Sequence, residues 1–324
     1  MWAQQSLGKA LRFVLYLYTC TLFYSSRNWT LTINRSIYSQ KMSQQRIDTP
    51  DGISWHVETF SSGQAGNASE NIVLIPSGEG DCQILGKLAQ LLSTKGYSVI
   101  TFDMPGFSRT TAPQDACTNV SPQLLARQVA GLLDLMGIQR ATFCGSSSGG
   151  LTALAIAALR PEKTKCAIVH EVPLEAPPLL KALVFKSDEE ISAICKGMFR
   201  TNMIEQDVND GLQKWDALGE DYHARLAKNY VTWVRSYVSS TEFTSNDFTS
   251  NPENLQQRPI FWTIGTLNVF KDGVAVAWQS NFEMASAAGL SVNTTRLHSM
   301  HFPALTIPED MADWIAECIG QVKD

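Results

Sequence analysis

Charged residues are scarce in this chain, 18% of its 324 residues, while 44% are apolar. That balance excludes intrinsic disorder, which needs low hydrophobicity and high net charge. Clusters of Lys and Arg interleaved with aromatics are missing from the main body, which removes nucleic acid as a partner. Acids are missing from residues 1–47, which hold six basic residues: Lys9, Arg12, Arg27, Arg35, Lys41 and Arg46. With a formal charge of −5 overall, the remainder carries −11. No C-x-x-C and no His/Cys group at metal-ligand spacing occurs, so neither a metal nor another cofactor is expected. The seven cysteines (Cys20, Cys82, Cys117, Cys144, Cys166, Cys195, Cys318) are odd in number and irregularly spaced. They read as reduced thiols in a reducing compartment, with Cys144 and Cys166 serving as small hydrophobes in apolar strands. Five N-x-S/T sequons (Asn28, Asn34, Asn67, Asn119, Asn293) argue the other way.

The leader's apolar run is short for a membrane span. Its apolar stretch, residues 11–24, has 14 residues and rises about 21 Å as a helix, against a hydrocarbon core of about 30 Å. A basic start before an apolar stretch suits a signal peptide or anchor, but no A-x-A-like cleavage site follows. Scattered Arg and Ser without acids suit a mitochondrial transit segment. A third reading starts translation at Met42, because "MSQQRIDTPDGISWHVE" already reads as a compact domain's first strand. Residues 1–41 are therefore set apart from the fold. The domain reads as cytoplasmic, with mitochondrial, secretory or membrane-anchored placement as the alternatives if the leader is retained.

From residue 52 onward strand and helix patterns alternate. "ISWHVETF" alternates like a half-buried strand, and "NIVLIP" is a buried-strand run. "CQILGKLAQLLSTKG" has helical periodicity with a glycine stop; "YSVITFDMP" is a strand and "SPQLLARQVAGLLDLMGI" a helix. "ATFC" runs into a serine cluster, followed by the apolar helix "LTALAIAALRPEK" and the strand "KCAIVHEVP". "RPIFWTIGT" and "LSVNTTRL" are later strands before a closing helix "PEDMADWIAECIG". This alternation predicts an α/β fold, a mainly parallel sheet with helices on both faces. Between Pro173 and Pro259 the strands stop and helical patterns take over: "DEEISAICKGMFR" and "NDGLQKWDALGEDYHARLAKNYVTWVRSYV". The expected organisation is a core of residues 42–173 and 259–324 with a helical cap, 174–258, inserted between them.

The serine cluster carries the chemistry. G-x-S-x-G fits in one register only, Gly145-Ser146-Ser147-Ser148-Gly149, and nominates Ser147. Strand, tight turn and apolar helix in succession are the context of a nucleophile elbow, whose glycines permit a sharp backbone turn. The helix N-terminus behind it favours negative charge on the attacking oxygen. Of the five histidines, His298 and His301 follow the last strand, where the order Ser…acid…His puts the base. His301 is favoured because a helix anchors its loop; His298 is the alternative. The usual acid slot, the loop after the penultimate strand, reads Gly265-Thr266-Leu267-Asn268, with an amide where a carboxylate is expected. Glu171, ending the strand next after the elbow, is the preferred acid, and Asp272 the alternative. An oxyanion hole needs two backbone donors. Ser148 N–H is one, and Gly78, in the loop after "NIVLIP", is the other. In the cap, Trp233 and Tyr237 share a stripe with Leu226 and Tyr230 that reads as core. Because a cap overlies the sheet edge, Trp233 and Tyr237 are also candidate substrate contacts.

"TFDMPGFSR", "GSSSG", "HEVP", "DEEIS", "HARLAKNYVTWVRSY" and "MHFP", taken in order, resemble the fungal zearalenone lactone hydrolases of the α/β-hydrolase superfamily. The likeness runs from about Met42 to the C-terminus and includes the cap. It implies an α/β-hydrolase fold and a Ser-His-Glu triad of Ser147, His301 and Glu171. It further implies oxyanion donors at Gly78 and Ser148 and a substrate-contacting Trp233. The sequence departs from that pattern in residues 1–41, in Ser146, and in the stretches 239–257 and 267–279. The expected activity is hydrolysis of a small hydrophobic ester or lactone through an acyl-enzyme, and a homodimer is compatible with it. A general carboxylesterase, a C–C bond hydrolase with the same triad, or a ligand receptor on a hydrolase scaffold are the alternatives.

Overall fold

The computed structural model describes residues 41–61, 70–174, 178–238, 258–267, 283 and 292–323. Tyr38–Asp324 packs as one compact unit. Among the described residues eight strands form one sheet: β1 (Lys41–Asp48), β2 (Ser54–Ser61), β3 (Asn71–Ile75), β4 (Ser98–Phe102), β5 (Ala141–Ser146), β6 (Thr164–His170), β7 (Ile260–Gly265) and β8 (Val292–Leu297). Their order is β1-β2-β4-β3-β5-β6-β7-β8, parallel from β4 through β8. The entry segment that reads as one strand is a hairpin, with β1 antiparallel to β2 along its whole length and β2 antiparallel to β4. β1 escapes a hydrophobicity reading because it is an edge strand rich in polar side chains.

The buried runs are apolar on both faces because both faces are covered. Alternate residues point to opposite sides of a strand, so Val73, Phe143 and Val169 join one hydrophobic cluster while Leu74, Cys144 and Ile168 join the other. Helices α1 (Gly86–Thr94) and α9 (Pro308–Gln321) supply Leu88, Leu92 and Ile315 to the second cluster. Helices α2 (Pro122–Leu135) and α3 (Ser147–Leu159) supply Leu133, Leu151 and Ile156 to the first. α3 is apolar around most of its circumference, and nearly all of it is buried.

The described part of the cap carries helices joined by turns, α4 (Pro178–Leu183), α5 (Asp188–Gly197), α6 (Gly211–Asp216) and α7 (Glu220–Thr232), and no strand among the described residues. A reciprocal capping box between Ser187 and Glu190 starts α5. Gly219, at φ 90°, separates α6 from α7, which continues into a π-helical turn, Trp233–Val238. Such turns recur at functional sites. A short helix α8 (Pro303–Thr306) lies between β8 and α9. The six described cysteines are free thiols.

Candidate active site

β5 passes straight into α3 at Ser147, whose φ of 51° places a residue with a side chain in left-handed backbone. Such a conformation persists only where the surroundings over-determine it. Here they do: a Cβ on Gly145 would lie 2.4 Å from the carbonyl carbon of Gly149, and one on Gly149 2.5 Å from the Ile75 oxygen. No larger residue fits on either side of the turn, which holds Ser147 at the carboxyl edge of the sheet.

Glu171 reaches the same edge through strand register. Ser146 of β5 pairs with His170 of β6, so Ser147 and Glu171 are the next residues beyond two paired neighbours. Glu171 also has positive φ, 46°, and its N–H donates to the Thr263 carbonyl at 3.0 Å. The side chain is fully buried, accepting at Oε1 from Gly265 N–H (2.9 Å) and at Oε2 from His301 Nδ1 (2.7 Å). Burial pushes this carboxyl up. His170 and the hydrogen bonds from His301 and Gly265 outweigh it and hold the carboxyl below its ordinary 4.5. An ionised carboxylate can only accept, so the proton of the short contact sits on Nδ1. With Nδ1 carrying the proton, Nε2 is the ring nitrogen that can accept one.

His301 is 3% exposed and packs edge-on against Phe302 at 5.2 Å. His298 is exposed and faces Thr266, 3.3 Å from Nδ1 to Oγ1, instead of a carboxylate. Of the two sequence candidates for the base, His301 is the one brought to Glu171. Asn268 and Asp272 lie outside the described residues.

The loop after β3 turns at Ser77–Gly80, with Gly80 N–H donating to Ser77 O at 3.0 Å. Gly78 is covered by Trp233, for a Cβ there would lie 2.7 Å from the indole Cε2. Helix α7 clamps this loop. Asn229 Nδ2 donates to Glu79 O (2.8 Å), and Arg225 Nε donates to Asp81 Oδ2 (2.7 Å) and Nη2 to Gln83 Oε1 (2.8 Å). Ser148 is buried in the first turn of α3, and its hydroxyl has no partner among the described residues. The indole N–H of Trp233 is likewise buried without a partner, whereas Tyr237 is engaged in the fold. Its hydroxyl donates to Pro105 O at 2.9 Å and its ring meets Phe107 edge-on at 5.1 Å. An aromatic wall joins the cap to the His301 loop: Phe199 lies 4.9 Å from Tyr230, 5.7 Å from Trp233 and 5.7 Å from Phe302 between centroids.

Sequence reasoning passed over two groups next to this site. His170 is fully buried, with Nδ1 2.9 Å from Thr263 Oγ1 and Nε2 donating to Met300 O at 3.1 Å. Burial pushes its pKa down, favouring neutral imidazole. Its place beside Glu171 at a strand end was the available signal. Glu79, between Gly78 and Gly80, has one oxygen on Ser77 N–H (2.9 Å) and the other buried without a partner among the described residues. Burial pushes it up to about 7. The fold also assembles His56, Glu58 and Cys82, with ligand atoms within 4.8 Å of one another. Arg109 already donates to Glu58 (3.1 Å) and Cys82 (3.4 Å), and burial pushes that thiol up toward its protonated form. The guanidinium therefore takes the place a cation would need.

Residues 70–284 match the family model described as the alpha/beta hydrolase fold. A zearalenone hydrolase from Bionectria ochroleuca is 34% identical over 277 residues, which cover 85% of this chain and 97% of that protein. A second, from Cladophialophora bantiana, is 32% identical over 275 residues, 84% and 94% of the two chains. Among solved structures, the enol-lactonase from Burkholderia xenovorans superposes with a TM-score of 0.67 at 16% identity, covering 86% of this chain and all of that one (100%). A thermophilic esterase from Thermogutta terrifontis gives 0.65 at 16% identity, covering 87% and 100%. These two likenesses speak to the fold, which agrees with the observed sheet order, elbow and cap. On the full-length identity of the first two relatives and the family match, the chain belongs to the α/β-hydrolase fold family as one of its zearalenone hydrolase-like members, hydrolases of esters or lactones.

Proposed function

We propose that this protein opens a hydrophobic macrolactone of the zearalenone type, using Ser147 as nucleophile, His301 as base and Glu171 as the acid that orients it. The observation that carries the reading is the 2.7 Å contact from His301 Nδ1 to the fully buried Glu171 carboxylate. With Nδ1–H committed there, Nε2 accepts the Ser147 hydroxyl proton as Oγ attacks the lactone carbonyl. The new C–O bond turns the carbonyl oxygen into an oxyanion, held by the backbone N–H groups of Gly78 and Ser148. Collapse breaks the ring C–O bond, and the departing alkoxide takes the proton from Nε2. In a lactone that alcohol remains part of the acyl chain. Water, deprotonated by the same imidazole, then releases the carboxylic acid and restores Ser147. Glu171 stabilises the imidazolium in both half-reactions.

The macrolactone is supported by the aromatic wall of Phe199, Tyr230, Trp233 and Phe302, which suits an apolar ring, and by the unpartnered indole N–H of Trp233, which can donate to a substrate oxygen. The test is hydrolysis of zearalenone and of short aryl esters by the wild type and Ser147→Ala. Ring opening with a kcat/KM well above that for the aryl esters, lost in Ser147→Ala, is the expected result. Preference for aryl esters would make the protein a general carboxylesterase, and no turnover of either would leave a ligand receptor.

A further inference from the structure

The base of this site is carried by a loop that the cap grips by its backbone. From the end of β8 toward His301 the carbonyls of Leu297 and Ser299 accept from Thr266 N–H (2.8 Å) and Leu267 N–H (3.1 Å), bonds supplied by the core. The peptide groups nearer the imidazole are shared between core and cap. Met300 O accepts from His170 Nε2 of the core at 3.1 Å, while Met300 N–H donates to Asp207 Oδ2 of the cap at 3.0 Å. Asn209 Nδ2, also of the cap, donates to His298 O at 2.9 Å. Met300 is thus held at both ends of its backbone, immediately before His301.

Asp207 is built for that contact. It is 4% exposed, on the turn between Ile204 and Gly211. Its second oxygen, Oδ1, accepts from the Asn209 backbone N–H (2.9 Å) and side-chain amide (2.8 Å). That leaves Oδ2 aimed at Met300. The turn is closed tightly, since a Cβ on Gly211 would lie 2.3 Å from Ile204 O and 3.0 Å from Asp207 Cβ. Each carboxylate oxygen has one task, one inside the cap turn and one across to the base loop.

We propose that Asp207 is a positioning residue, through which the cap sets the place of His301 relative to Glu171. The inference rests on His301 being the base, as proposed above. A bound substrate that presses on the cap is then coupled to the base by Asp207–Met300 and Asn209–His298. Misplacing a base by a fraction of an ångström lowers turnover without weakening ground-state binding.

The test compares Asp207→Ala, Asp207→Asn and, as control, Glu205→Gln, whose exposed side chain in the same turn meets Arg200 at 3.4 Å. Three quantities are read: kcat and KM on zearalenone, the rate at which a fluorophosphonate labels Ser147, and zearalenone binding in the Ser147→Ala background. In the labelling an Oγ–P bond forms, fluoride leaves and the hydroxyl proton passes to His301, so its rate reports the base without substrate turnover. For Asp207→Ala we expect kcat and labelling to fall together, by about ten- to a hundredfold, with KM and binding changed by less than about threefold. Asp207→Asn keeps one acceptor of the two and should fall between Ala and wild type, while Glu205→Gln stays at wild type. A folded Asp207→Ala with kcat within about threefold of wild type overturns the proposal, as does a loss confined to KM and binding. If the alanine variant does not fold, Asp207→Asn decides by the same two criteria. His301→Ala measured alongside separates the two readings. If it stays active the base assignment itself fails, and if it is dead while Asp207→Ala is active, only the positioning role fails.

Discussion

Glu79 gives the chain a stability that should fall as pH rises through neutrality, and Glu79→Gln should remove that dependence. The residue is 1% exposed, with Oε1 on Ser77 N–H and Oε2 without a partner among the described residues. Burial, with the Asp81 charge adding to it, pushes its pKa from 4.5 up to about 7. Because the folded value lies above the unfolded one, the native state holds a proton that the unfolded chain releases. The contribution is therefore complete below about pH 4.5 and lost as pH climbs past about 7. A separation of about 2.5 pH units at about 1.36 kcal/mol each makes the native state lose about 3 kcal/mol between about pH 4.5 and pH 9. Glutamine keeps the acceptor for Ser77 N–H and carries no charge at any pH. Urea unfolding of both proteins at the two pH values measures it. Wild type should lose about 3 kcal/mol more than Glu79→Gln across that interval, and the variant should be the more stable at the upper end. Parallel losses in the two proteins would refute the reasoning, because Glu79 would then titrate alike in the folded and unfolded chains.

Three further variants probe the site from the acid side and the cap side. Glu171→Gln keeps an acceptor for Gly265 N–H but removes the charge that stabilises the imidazolium, and kcat should drop by up to about 10⁴ while zearalenone binding persists. Asp272→Asn, assayed beside it, should cost less than about tenfold; the reverse pattern would hand the acid role to Asp272. Tyr237→Phe removes the hydroxyl that donates to Pro105 O, so thermal unfolding should register a loss of about 1 kcal/mol while KM stays at the wild-type value. A large rise in KM would instead make Tyr237 a substrate contact.

What the sequence determined by itself was everything set by local pattern. Apolar runs bounded by turn residues marked β3, β5, β6 and β7, and G-x-S-x-G fitted one register. Helical periodicity without strands marked the cap. Each of these signals is local in sequence, so neighbouring side chains carry it. The polar edge strand β1 carried no such signal, since its pairing with β2 is made by backbone groups that composition does not reveal.

Only the tertiary structure decided which distant groups meet. The Ser146–His170 register aligns Glu171 with Ser147, and nothing in the spacing of residues 147 and 171 states that register. His298 and His301 are three residues apart in one loop. They diverge because the loop turns one toward Thr266 and the other into the buried carboxylate. His170, Asp207 and Met300 are separated by tens of residues and meet at the two peptide groups flanking Met300 Cα through the packing of cap on core. Such contacts form where long-range burial outweighs the entropy of closing the loops between them, and that balance is a property of the whole chain.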